Sequence, residues 1–107
     1  MAKFLLLYHG GGAMPATEAE SAKILKAWTD WYTGLGSAVV DPGNPFSPMA
    51  KKVASNGTVS NGSPAAMASG YTILEAESLD KAARMAQGCP VLQSGGEISV
   101  FETFNVM

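Results

Sequence analysis

A chain of 107 residues, 47% hydrophobic and 15% charged, carries enough apolar material for one modest core and is not a composition that stays disordered. Its formal net charge of −2, with seven scattered Lys and Arg, leaves no basic patch to hold a nucleic acid. The apolar run 4–8 is far too short for a membrane span or a signal-peptide core, and the one cysteine, Cys89, excludes an intramolecular disulfide. The expectation is one cytoplasmic domain over 1–107, touching neither membrane nor nucleic acid.

Residues 3–8 (KFLLLY) are apolar on both alternating faces and read as a strand covered on both sides. His9 and the glycines Gly10 to Gly12 follow. Thr17 and Glu20 then make a capping-box pattern, in which each side chain can satisfy an orphan N–H at a helix start. The helix they open carries Ile24, Leu25, Trp28, Trp31, Tyr32 and Leu35 on one stripe, and Gly34 and Gly36 stop it. Residues 37–40 form a short strand closed by the rigid loop Asp41-Pro42-Gly43-Asn44-Pro45. Asn56-Gly57 predicts a two-residue hairpin turn between Val53 and Val59, in a polar, exposed arm. Residues 71–76 are a strand; Ser78 caps a second helix whose Leu79, Ala82, Ala83 and Ala86 face the core, and Gly88 and Pro90 end it. Residues 97–106 alternate as a closing strand.

Without the polar hairpin this order is β-α-β-β-α-β, a ferredoxin-like α+β fold with both helices on one face of the sheet. Leu5, Leu7 and Phe101 lie opposite in phase to Phe4, Leu6, Tyr8 and Val100. One helical layer cannot cover both sets, so the sheets of two copies are expected to pack face to face in a homodimer.

Two motifs at the first turn fail. His9-Gly10-Gly11-Gly12 resembles a lipase oxyanion loop, but there is no Gly-x-Ser-x-Gly elbow, and the single histidine cannot also serve as a triad base. Pro15 stands where a dinucleotide loop needs its third glycine. One His and one Cys far apart match no metal-ligand spacing, so neither metal nor cofactor is expected.

Trp28 and Tyr32, with Tyr8 at the end of the first strand, are either core or the lining of a cleft between helix and sheet. Such a cleft would suit a flat aromatic or apolar ligand. Glu102 shares the phase of Ile98 and Val100, and there a carboxylate sits either at a sheet edge or buried with a partner. His9 and Asp41 follow the ends of two parallel strands separated by a third. They should emerge at one edge of the sheet, roughly 9.5 Å apart by backbone, within near reach of a base-and-orienter pair at the polar end of that cleft.

The whole order of elements resembles the YCII-related family in its DGPF subgroup. The residues that carry the likeness are KFLLLYHGG at the start, TVSNGSP in the hairpin, and Gly70-Tyr71, Leu79, Asp80, Ala82-Ala83, Ala86 and Cys89-Pro90. The resemblance implies a dimeric α+β barrel. It does not carry catalysis with it, because the Asp-Gly-Pro-Phe signature is replaced by Asn61-Gly62-Ser63-Pro64 and no histidine lies in the first helix. A small-molecule-binding or accessory protein is therefore the leading functional expectation. The other is an enzyme of dehydrochlorinase or isomerase type, acting on a small cyclic or aromatic compound with His9 as base.

Overall fold

The computed structural model describes residues 1–10, 17–47, 49–62 and 68–106. Its elements run β1 (Ala2–His9), α1 (Glu18–Leu35), β2 (Val39–Asp41), β3 (Lys51–Val53), β4 (Val59–Asn61), β5 (Ala68–Ala76), α2 (Leu79–Ala86) and β6 (Glu97–Glu102), with single 3-10 turns before β2 and before β6. Both helix starts follow from their caps. Thr17 Oγ1 accepts from the N–H of Glu20 at 3.1 Å, and Ser78 Oγ from that of Lys81 at 3.2 Å.

The main sheet has the order β2-β5-β1-β6, every neighbour antiparallel. With the hairpin set aside this is the ferredoxin-like arrangement, and β1 and β2 run parallel with β5 between them. The register sorts the side chains into rows. Leu6 sits between Thr72 and Val100 on one face; Leu5 sits between Ile73 and Phe101 on the other. The first face holds the core. Phe4, Leu6, Tyr8, Leu74, Ala76 and Thr72 are buried there beneath the helices, with Ala82, Ala86, Cys89 and Val91. The second face has no element over it among the described residues, and Phe101 is 51% exposed.

Four details differ from the sequence reading. The second strand runs Val39–Asp41, after a 3-10 turn at Gly36–Ala38, rather than over 37–40. The hairpin loop has three residues rather than two. Val53 pairs with Val59, Ala54 and Thr58 close the loop, and Gly57 at φ +88° takes the left-handed position that a third loop residue requires. β6 ends at Glu102 rather than at residue 106, because β1 starts at Ala2 and Thr103 N–H finds the last carbonyl, Lys3 O. Phe104 and Val106 are accordingly exposed. On α2, Ala82 and Ala86 face the core, one helical turn apart, while Ala83 lies on the exposed side and Leu79 is 44% exposed. The glycines Gly11 and Gly12, with Pro15, and the replacement residues Ser63-Pro64 lie outside the described residues.

Candidate functional site

The aromatic stripe of α1 does not pack flat on the sheet. No residue of α1 is fully buried, although Trp28, Trp31 and Leu35 rest against the core. Four rings form a cluster: Trp28 stands edge-on to Tyr8 at 5.5 Å and to Trp31 at 5.8 Å, and is tilted against Tyr32 at 5.8 Å. Trp31 Nε1–H donates to Met85 O at 3.0 Å, which ties the C-terminal half of α1 to the end of α2. Ser21, Ile24 and Leu25 belong to the N-terminal half. There the helix stands off the sheet over a cavity of about 460 Å³.

Trp28, Tyr32, Ile24 and Leu25 of α1 form one wall, Tyr8, Gly70 and Tyr71 of the strands the opposite one, and the loop Pro42 to Pro45 closes the side. This volume lies in the range of small-molecule sites. The loop is held close to β5 by Gly43. A β-carbon there would lie 1.8 Å from Tyr71 O, at a φ of +72°, so only glycine fits. Asp41 Oδ1 accepts the Gly43 N–H at 2.8 Å and Oδ2 the Tyr71 hydroxyl at 3.3 Å, fixing the loop from below.

Beside the loop two hydroxyls end on one carbonyl, that of the exposed Pro42, and a third feeds into them. Tyr8 Oη–H donates to Thr72 Oγ1 at 2.6 Å, Thr72 Oγ1–H to Pro42 O at 2.9 Å, and Tyr32 Oη–H to the same carbonyl at 3.0 Å. Burial pushes the Tyr8 phenol far above the ordinary range, and burial likewise raises Tyr32. Cys89, 1% exposed beneath Tyr8, is a thiol that burial also pushes up, so it is a poor thiolate.

Of the residues singled out from the sequence, Tyr8, Trp28 and Tyr32 come together on this cavity. The expected pairing of His9 with Asp41 is corrected. His9 follows Leu5 and Leu7 in phase and lies on the uncovered face, with Nε2 2.9 Å from Ser99 Oγ, whereas Asp41 is taken up by Gly43 and Tyr71. His9 is not among the described residues lining the cavity. Glu102 is exposed on the edge strand, paired in register with Phe4 and away from the cavity. Thr72, Pro42 and Tyr71 were not among the expected site residues, Pro42 being read only as part of a rigid loop and Tyr71 only as carrying the family likeness. A threonine in the buried phase of β5 was the available signal. Among the described residues no cluster of His, Cys, Asp or Glu could hold a metal ion. No helix there is long and apolar enough to cross a membrane.

No protein-family model and no curated protein matches the chain. A solved structure is similar in fold: 5-chloro-2-hydroxyhydroquinone dehydrochlorinase from Burkholderia phenoliruptrix, in complex with 2,5-dihydroxybenzoquinone. The match has a TM-score of 0.55 at 17% identity and covers 92% of this chain and 90% of that one. It shows a shared α+β, ferredoxin-like fold across nearly the whole length.

Proposed function

We propose that this is a small-molecule-binding protein of distant YCII-related descent, holding a flat, neutral, largely apolar molecule between α1 and the sheet. The observation that carries this reading is a cavity walled by aromatic rings in which no described lining residue bears a charge at neutral pH. Its titratable side chains are tyrosines, and burial keeps Tyr8 and Tyr32 protonated. Residues 11–16 and 63–67 contain no His, Cys, Asp, Glu, Lys or Arg, so they could supply no acid or base either. Proton transfer needs a group that titrates near the working pH, and binding needs none. Titration with 2-naphthol, followed by tryptophan fluorescence, should give saturable micromolar binding that Trp28→Ala abolishes. Failure of every neutral bicyclic aromatic tried would defeat the reading.

A second reading, a dehydrochlorinase or isomerase with His9 as base, is favoured by the fold likeness to an enzyme of the first kind. It would place the reaction at His9 and Ser99 on the uncovered face, rather than in the cavity. Chloride release from a chlorinated hydroxyhydroquinone, lost in His9→Asn, is its test.

The binding reading sits in a cytoplasmic homodimer formed through the uncovered face. The row Ile73, Leu5, Phe101 supports sheet-to-sheet association, because it leaves apolar side chains without cover in one copy. Sedimentation should show a dimer at micromolar concentration, and Leu5→Asp should dissociate and destabilise it.

A further inference from the structure

We infer that the cavity selects ligands that donate a hydrogen bond over ligands that only accept one; this deepens the binding reading and rests on it. It follows from a count of hydrogens where Tyr8 and Tyr32 meet the loop at Pro42. Pro42 O can only accept, so the hydroxyl hydrogens of Thr72 and Tyr32 both end on it. Thr72 Oγ1, its own hydrogen committed, accepts that of Tyr8. Tyr32 Oη also lies 3.4 Å from Thr72 Oγ1, a contact in which either hydroxyl could donate. All three hydrogens are therefore spent within the protein, and no buried side-chain polar atom in the described structure lacks a partner.

What remains for a ligand there is the lone-pair side of the two phenol oxygens. The pair of lone pairs on Pro42 O is already filled. A phenol or an N–H heterocycle can donate into this array. A ketone, a quinone or an aryl ether would bring oxygen against oxygen and lose its water without replacement, which costs more than a made bond gains. Ser69 adds no donor, because its hydroxyl is given to Gly10 O at 3.0 Å. Ser21 and Asn44 line the mouth, but both are exposed, so water competes for them. The missing cation also disfavours a carboxylate.

The test compares 2-naphthol, 2-methoxynaphthalene and 2-acetylnaphthalene on the full chain by calorimetry. Naphthol should bind about tenfold tighter than the other two, the worth of one net hydrogen bond. Thr72→Val keeps the shape but removes the acceptor of the Tyr8 hydrogen, leaving it to Cys89 Sγ or to a ligand carbonyl, so the affinity for 2-acetylnaphthalene should rise and the ratio narrow. If that variant does not fold, judged by its thermal transition, the wild-type ratio decides. Equal binding of the three, or tighter binding of the ketone, overturns the selectivity and leaves the binding reading standing. Binding of none defeats both.

Discussion

α1 and α2 lie on the same face of one sheet and do opposite things with it. α2 presents Ala82 and Ala86, both buried, and such short side chains let its backbone settle onto Phe4 and Ala76 without a gap. α1 presents two indoles and a phenol, each half-buried, and rings of that size prop the helix away from the strands. α2 closes a core; α1 leaves a cavity beside one. Bulk on a helix face does not by itself mean tight packing. Its consequence depends on whether the facing strand offers volume that interlocks with it, and the strands under α1 offer Gly70 and the loop at Pro42 instead.

The contrast would break if the α2 side tolerated what the α1 side does not. Phe4→Ala, under α2, removes a fully buried ring and should cost about 3–5 kcal/mol in urea unfolding. Trp28→Ala should cost less stability than Phe4→Ala and remove ligand binding, whereas Phe4→Ala at a permissive temperature should keep it. Ala82→Leu, which forces extra volume where exposure is nil, should cost about 1–3 kcal/mol.

Alkaline pH sharpens the same contrast, because the shifted buried groups, Tyr8, Tyr32 and Cys89, cluster on the α1 side while Phe4, Ala76 and Ala82 carry no titratable group. A raised pKa means the folded chain holds its proton more tightly than the unfolded one. The stability these groups contribute is therefore complete at neutral pH. It begins to fall above the ordinary thiol value of 9.0 and falls further above the phenol value of 10.0. Above pH 10, Tyr8 alone should remove about 1.4 kcal/mol per pH unit. Denaturation midpoints from pH 7 to 11 should fall less steeply in Tyr8→Phe than in the wild type. The smallest expected change is Leu25→Ala on the cavity wall. At 68% exposure it should leave stability within about 0.5 kcal/mol of wild type while weakening ligand binding.

The two helices were also unequally legible in the sequence. Caps are local chemistry, so Thr17 and Ser78 marked both starts correctly, and the order of elements was enough to give the sheet. The cavity was not legible in the same way. Ile24, Leu25, Trp28 and Tyr32 have the period of a core-facing stripe, and nothing in that period says how far the helix stands from its partner. The hydroxyl network escaped because Thr72 and Pro42 are thirty residues apart and meet only through the β2–β5 pairing. His9 is a different case. Placing it at the same sheet edge as Asp41 was sound topology, but strand alternation already put it in phase with Leu5 and Leu7, on the face opposite Tyr8.

The central claim, that the space under α1 is a ligand site and not a packing defect, is tested most directly by ¹⁹F NMR of 5-fluorotryptophan-labelled protein. Its two resonances can be assigned with Trp28→Phe. Titration with 2-naphthol should move the Trp28 resonance saturably and the Trp31 resonance, anchored on Met85 O, much less. Two unmoved resonances up to the solubility limit of the ligand, or equal and unsaturating shifts in both, would contradict the account.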